Sequence, residues 1–160
     1  SLSRILITVL FLLIISCGIE PAQEAKEKHL ALLQSIVDGD AKSTADSFSI
    51  DVVTLGGGTD GNGTIGADYH SESYWRNVFQ SSEYTSGAAG KELNELLDLD
   101  STITLTSDHE FVQNINEQIF EFRENDIAVD TRPIKGSYLL DGWFAIYRKI
   151  EGEWLIVATD

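Results

Sequence analysis

The sequence YLLDGWFAIYR at residues 138–148, followed by KIEGE at 149–153 and WLIVAT at 154–159, decides the fold. Aromatic and β-branched side chains are dense on both sides of a short turn that contains Gly152, a pattern that predicts a β-hairpin. An isolated hairpin is only marginally stable in water, so this pair requires further strands. Apolar residues do not alternate cleanly with polar ones in its first strand. We therefore expect both faces to be covered, by helices on one side and, as one option, by a second subunit on the other.

Further strands are predicted immediately upstream of this hairpin. Residues 117–123 and 127–132 each alternate apolar and polar side chains, and the polar sequence END separates them. This pattern predicts two antiparallel strands joined by a tight turn, with Pro133 ending the second. Residues 101–106 also favour a strand, whereas residues 91–99 are compatible with either a helix or the approach to that strand.

The region after residue 21 begins with predicted helices. Apolar side chains recur at helical spacing over residues 22–37, and His29 lies among them. The sequence DGD at 38–40 ends this helix, because Gly39 suits the left-handed position after a helix. The second aspartate of that sequence can then cap a shorter helix over residues 41–48.

The middle of the chain predicts a strand over residues 51–55, a glycine-rich loop over 56–66, a third helix over 68–80 and a polar loop over 81–90. Helices first and antiparallel strands afterwards predict an α+β domain. In such a domain the amino-terminal helices pack on one face of a curved, mainly antiparallel sheet.

The amino-terminal segment is typical of a targeting signal. Arg4 is the only charge before an apolar run over residues 5–15. At about 1.5 Å per residue this run is shorter than a hydrocarbon core of about 30 Å, so we interpret it as a signal peptide. The sequence IISC at 14–17 resembles the lipobox of bacterial lipoproteins, in which the cysteine is lipidated and the preceding peptide is removed. A plain secretory signal or a short anchor helix with an incidental cysteine is the alternative.

This interpretation divides the chain into a signal peptide (1–16), a lipidated Cys17 with a short tether (17–21) and one α+β domain (22–160). The predicted partners therefore include a membrane, reached through the lipid on Cys17. Position 18 is Gly and not the aspartate that retains such proteins in an inner membrane. The resemblance thus implies a bacterial cell-envelope location, at an outer membrane where the host has one.

Composition excludes several classes of function. All twenty-six acidic residues and ten of the eleven basic ones follow Cys17, so the chain beyond it carries a net charge of −16 with histidine neutral. Such a charge repels phosphate backbones, and we predict no nucleic-acid partner. Since Cys17 is the only cysteine, its lipidation leaves no thiol for a disulfide, a thiolate metal site or a nucleophile.

Several short sequences together resemble the SnoaL-like members of the nuclear transport factor 2-like superfamily, over roughly residues 22–160. The resemblance implies a cone-shaped, cystatin-like roll with a pocket between sheet and helices, often in a dimer. It implies no single chemistry, because the superfamily contains isomerases, cyclases, dehydratases and non-enzymatic binders. The chain departs from many relatives at its end, where Ala158-Thr159-Asp160 replaces a His and a Ser. The sequences that carry the resemblance are DGD at 38–40, DVVT at 51–54, GTD at 58–60, NDIAV at 125–129 and YRKIEGEWLIV at 147–157.

Two residues are candidates for acid–base chemistry. Asp130 and Arg132 fall on one face of a predicted strand, about 7 Å apart. In a pocket, Asp130 could act as a general base with its pKa raised by desolvation, and Arg132 could orient a ligand. Exposed to water, the two would form a weak surface pair, which is the commoner situation for such side chains. His70 is the second candidate base, with a solvated residue as its alternative.

Aromatic residues are the candidates for an apolar ligand-binding wall, although most aromatic residues belong to cores. These candidates are Tyr74, Trp75, Trp143 and Phe144. The glycine-rich loop partly resembles a calcium-binding loop, but Gly58 and Tyr69 stand where its strong acidic ligands should be. We therefore predict no metal and no cofactor.

Three functions remain compatible with the sequence. The first is a lipid-anchored domain that binds a small apolar or amphipathic molecule without transforming it. The second is an isomerase, dehydratase or cyclase that uses Asp130 or His70. The third is an envelope interaction module that forms a homodimer through the outer face of its sheet.

Overall fold

The structure, a computed structural model, describes residues 18–55, 68–71, 92–115, 117, 119–134 and 143–159, with the side chains of 68–71 left out. The predicted loops at 56–66 and 81–90 lie outside these ranges. Among the described helices none is both long and apolar enough to span a membrane. The elements in chain order are α1 (Pro21–Val37), α2 (Ala41–Asp46), β1 (Phe48–Thr54), β2 (Asp68–Ser71), α3 (Leu93–Leu96), β3 (Leu97–Leu105), α4 (Glu110–Gln113), β4 (Ile127–Pro133), β5 (Trp143–Ile150) and β6 (Glu153–Thr159).

The predicted amino-terminal helices are confirmed. α1 ends where Gly39 adopts a left-handed conformation with φ of 69°, as expected for a residue without a Cβ. Asp40 caps α2 by accepting a hydrogen bond of 3.0 Å from the Ser43 backbone N–H. α2 ends at Asp46, before the predicted residue 48, because Phe48 begins β1 and pairs with Ile156 of β6.

The described strands form one six-stranded sheet in the order β2-β1-β6-β5-β4-β3. β1 and β6 run parallel, and the other neighbouring pairs are antiparallel. Three of these pairs contain a register shift, and irregularities of this kind bend and twist a strand. The predicted α+β class, with amino-terminal helices packed on a mainly antiparallel sheet, is confirmed.

The terminal hairpin is present, but its turn is shorter than predicted. Only Glu151 and Gly152 form the turn, with φ of 51° and 88°. Two consecutive residues with positive φ match the twist of the flanking strands, so Lys149, Ile150 and Glu153 remain in the ladder. Residues 138–142 of the predicted first strand lie outside the described residues.

Two predicted elements are wrong. Residues 119–123 are irregular and not a strand; β4 instead pairs with β3 and β5, which leaves no free edge for a strand there. Residues 68–71 do not begin a helix, because β2 pairs with β1 in an antiparallel register that sets His70 opposite Val52. Residues 72–80 of that predicted helix lie outside the described residues. For residues 91–99 the sequence is compatible with a helix or with the approach to a strand. The described part, 92–99, contains both, because α3 leads directly into β3.

The sheet separates two apolar clusters, one on each face. On the first face, which we call the helix face, α1 packs on β4, β3 and β6 through side chains such as Leu32, Leu33 and Ile36. On the opposite face, residues 106–115, 117 and 119–123, the cover segment, contribute Val112, Ile115 and Phe120 to the second cluster. Both faces are therefore covered, as predicted, and the second cover is supplied by this chain.

Candidate functional site

Two grooves meet at the corner of the molecule where α1 begins and the terminal hairpin turns. The corner groove has a volume of about 950 Å³, and the face groove, beside the cover segment, has about 570 Å³. Arg123 and Arg148 line both grooves. Apolar side chains line each of them: Pro21, Ala22, Ile127 and Trp154 in the corner groove, and Ile50, Val53, Ile119, Phe120, Ile150, Leu155 and Val157 in the face groove.

A buried ion pair fixes the shared wall of the two grooves. The Nε and Nη2 of Arg148 donate to the two carboxylate oxygens of Asp126 at 2.8 and 2.6 Å. Nη2 also donates to the backbone carbonyl of Glu121 at 3.0 Å, and the guanidinium carbon lies 5.7 Å from the centroid of the Phe120 ring. Asp126 is 1% exposed, and paired oxygens and nitrogens of this kind form strong, directional hydrogen bonds. Arg148 therefore ties β5 to the cover segment, directly at Glu121 and indirectly through Asp126, which lies just after that segment.

Asp126 also holds the backbone before β4. Its Oδ2 accepts a hydrogen bond of 2.9 Å from the Arg123 backbone N–H, in the manner of a capping aspartate. The carboxylate thus has three donors, and its main action is to position Arg148 and the turn after residue 123. The sequence END at 124–126 predicts a tight turn but does not by itself identify Asp126 as an anchor. The available signal is Arg148, which directly follows the apolar run Trp143–Tyr147, since a partly buried charge requires a partner.

A second, more exposed contact lies beside the corner groove and holds two of its lining residues, Lys149 and Trp154. Glu24 of α1 accepts hydrogen bonds from Lys149 Nζ at 2.9 Å and from Trp154 Nε1 at 2.7 Å. These two donors, Lys149 first, lower the pKa of the Glu24 carboxyl. Lys149 Nζ also lies 5.5 Å from the centroid of the Trp154 ring. The start of α1 is therefore attached to both strands of the terminal hairpin.

Arg123 differs from its neighbours because its guanidinium has no partner among the described residues. Its side chain is exposed, and within the described part of the chain it makes no hydrogen bond or ion pair. Arg148 likewise has no partner for Nη1 among the described residues. Arginine N–H groups are thus available at the junction of the two grooves.

The residues predicted as catalytic lie elsewhere. Asp130 of β4 is half-buried and stands opposite Phe144 of β5, while Arg132 is exposed opposite Asp98 of β3. Neither lines the corner groove or the face groove. The backbone of His70 belongs to β2, and its side chain is not among the parts of the chain that the structure describes.

The predicted aromatic wall is divided by the sheet. Trp143 joins the cluster on the helix face and Phe144 joins the opposite cluster, because consecutive strand residues point to opposite faces. Trp143 contacts the His29 ring at a centroid distance of 6.3 Å, whereas Phe144 contacts Phe111 at 5.2 Å. Tyr74, Trp75 and Cys17 lie outside the described residues.

A buried histidine in the helix face was recognised only as part of an apolar stripe. His29 is 0% exposed, and its Nδ1 lies 2.9 Å from the Tyr147 hydroxyl oxygen. Burial lowers the pKa of His29 to about 3, although the Trp143 backbone opposes this shift, and burial raises the pKa of Tyr147. A hydrogen-bonded neutral pair of this kind orients two aromatic rings inside the core. In the ranges described, no three His, Cys, Asp or Glu side chains group as metal ligands.

Comparison with known proteins adds no family assignment. No protein-family model and no curated protein matches the sequence. Among solved structures, the chain is similar to a Xanthomonas campestris protein described as a calcium/calmodulin dependent protein kinase II association domain, with 14% identity and a TM-score of 0.39. The match covers 81% of this chain and 77% of that one. A likeness at this level carries no argument about the function of this chain.

Proposed function

We propose that this protein is a lipid-anchored cell-envelope domain that binds a small apolar or amphipathic molecule without transforming it. The observation that carries the proposal is the corner groove, which combines a volume of about 950 Å³ with apolar walls and a charged edge. Ligand sites in proteins have volumes of this order, and most of their lining is apolar with a few oriented polar groups. The resemblance to SnoaL-like domains, many of which bind ligands, supports the same function.

Binding without catalysis is supported by the structural role of two hydrogen-bonded carboxylates, one in the lining of the groove and one beside it. A general base must reach the proton that it removes. The buried carboxylate in the lining of the groove, Asp126, already accepts three hydrogen bonds from Arg123 and Arg148. Glu24 accepts from Lys149 and Trp154. These two carboxylates hold the side chains around the groove in place. The groove then retains a ligand without reacting with it.

The groove lies next to the proposed anchor. Glu20, Pro21 and Ala22 line it, and Cys17 is three residue steps from Glu20, each of no more than about 3.6 Å. A lipid on Cys17 would therefore hold the groove within about 11 Å of the attachment point. A molecule that enters or leaves the membrane surface could reach the groove directly.

The ligand proposal is tested by filling the groove from an exposed position. Asn125 is exposed and lines the corner groove, whereas Asn114 is exposed and lines neither of the two grooves. The full chain, Asn125→Trp and the matched control Asn114→Trp are purified from the envelope in neutral detergent. Organic extracts of each are then quantified by mass spectrometry.

We expect one or more amphipathic compounds to accompany the full chain and the Asn114→Trp control, and to fall at least fivefold in Asn125→Trp because the indole occupies their space. Equal ligand content in all three proteins, or no compound above the level of the detergent blank, contradicts the proposal.

The anchor is tested separately by the intact mass of the protein. We expect a diacylglyceryl mass on a chain that begins at Cys17, and its loss in Cys17→Ser. A chain cut elsewhere, or one with an unmodified cysteine, contradicts the lipidation and leaves the groove unaffected.

A further inference from the structure

We infer that the ligand of these grooves is a single-chain amphiphile with an anionic head group, held between Arg123 and Arg148 with its apolar chain along the face groove. The inference rests on the proposed function and specifies its ligand. The two arginines are the feature that the corner groove and the face groove share. A molecule that occupies both grooves must therefore pass these guanidinium groups.

The geometry of Arg148 favours an anion at this place. Asp126 fixes the guanidinium through Nε and Nη2, and Glu121 takes the remaining hydrogen of Nη2. Nη1 is left with two N–H groups in a fixed plane, and no described residue accepts from them. Planar arginine donors of this kind match carboxylate, sulfate and phosphate oxygens. Arg148 thus offers donors whose orientation is set before a ligand arrives.

Arg123 supplies the second cation, and it is the one that can move. Its side chain is exposed and makes no hydrogen bond or ion pair among the described residues, while its backbone is held by Asp126. The base of the side chain is therefore fixed and its guanidinium can turn towards a head group in either groove.

The acidic groups around the site have to be weighed against this attraction. Six carboxylates line the two grooves: those of Glu20, Glu124 and Asp126 in the corner groove, and those of Asp51, Glu121 and Glu151 in the face groove. Asp126 is neutralised by Arg148, and the other five residues are exposed, so water and salt screen their repulsion. Lys149 is occupied by Glu24. A cationic head group would instead meet Arg123 and Arg148 directly, and a neutral one would leave their donors unused.

The apolar part of the ligand fits the face groove. Its lining includes Ile50, which is 76% exposed, and Ile150, which is 36% exposed. Together with the half-buried Ile119 and Leu155, these side chains form a strip that an alkyl chain would remove from water. Each buried CH₂ favours such binding.

The test uses photo-crosslinking of the full chain in nanodiscs of neutral phosphatidylcholine. Three probes share one twelve-carbon chain with a diazirine near its far end and differ in the head group, which is a carboxylate, an alcohol or an ammonium. Crosslinked peptides are mapped by mass spectrometry. Labelled residues within 119–127 and 148–157 count as labelling of the grooves.

We expect the carboxylate probe to label the grooves about tenfold more than the alcohol, the factor typical of one added charged hydrogen bond. We expect Arg123→Gln to reduce carboxylate labelling about threefold, because the donors of Arg148 remain in place. The matched control is Arg132→Gln, which removes another exposed arginine away from the grooves and should leave labelling unchanged. Thermal unfolding of both variants verifies that each is folded.

Each other outcome has a defined meaning. Equal groove labelling by carboxylate and alcohol overturns the anionic head group and leaves the proposed function standing, whereas no labelling of the grooves by any probe overturns both. Preference for the ammonium probe, or an equal loss in Arg123→Gln and Arg132→Gln, also overturns the inference, because the site would then recognise a different charge or only the overall field.

Discussion

The two faces of the sheet are covered in different ways. On the helix face, a regular 17-residue helix buries an apolar stripe, and the polar contact inside that cluster joins a neutral His29 to Tyr147. On the opposite face, an irregular segment with one short helix covers the sheet, and the Asp126–Arg148 ion pair holds it. A regular element can be held by apolar packing along its whole length. An irregular cover has fewer such contacts and depends on a specific polar pair.

The largest effect is expected from breaking the pair on the irregular face. Asp126→Ala leaves the Arg148 guanidinium, whose side chain is 19% exposed, without its carboxylate, and it also removes the acceptor of the Arg123 N–H. We expect a loss of about 3 kcal/mol in the free energy of unfolding, measured by urea denaturation. Amides of the cover segment should lose hydrogen-exchange protection more than those of α1.

The control for this change is Asp98→Ala, at an exposed position on β3, which should alter stability by less than about 0.5 kcal/mol. Equal losses in the two variants, or a loss of protection centred on α1, would contradict the idea that this pair holds the cover segment.

A smaller loss of folding stability is expected from the helix face as the pH falls. The pKa of His29 is about 3 in the folded protein and about 6.5 in the unfolded chain. Below pH 6.5 the unfolded chain therefore binds a proton that the folded protein does not, and stability decreases as the pH falls towards 3. Between pH 6.5 and 5 this histidine should remove about 2 kcal/mol.

Urea midpoints at several pH values measure this slope. In His29→Gln, which keeps a polar side chain next to Tyr147 and does not titrate, the slope between pH 6.5 and 5 should be flatter by that amount. His109→Gln alters an exposed histidine and should retain the original slope. An unchanged slope in His29→Gln would show that the buried ring does not control the acid sensitivity of the helix face.

The smallest effect is expected from the exposed pair that attaches α1 to the hairpin. Lys149 is 47% and Glu24 33% exposed at the side chain, so water weakens their attraction. We expect Lys149→Ala to reduce the free energy of unfolding by less than about 1 kcal/mol, and by less still in 1 M salt. A loss as large as that of Asp126→Ala would remove the distinction between the two ways of covering the sheet.

The sequence predicts the helix face well and the irregular face poorly, for a physical reason. The stripe in residues 22–37 repeats with the period of a helix, and Gly39 and Asp40 mark its boundary, so local chemistry determines this part of the fold. In residues 119–123 apolar and polar side chains alternate, and this alternation predicts a strand. The alternation arises because Phe120 enters the second cluster while Glu121 faces away, which an irregular segment can also satisfy.

The two grooves cannot be predicted from the sequence because the residues that form them are distant along the chain. Arg148 and Asp126 are 22 residues apart, and Glu24 is 125 residues from Lys149. No local pattern joins them. Asp130 and Arg132 were singled out because they are close in sequence and chemically reactive, but proximity along a strand says nothing about which groove lies beside it.

The place of β6 in the strand order governs how the protein is made. This strand is the last one described along the chain, yet it lies between β1 and β5 and connects them. A nascent chain stopped before residue 153 therefore contains two sheet fragments that cannot join, each with an open edge. Residues 153–159 must therefore leave the ribosome before the two fragments can pair through β6.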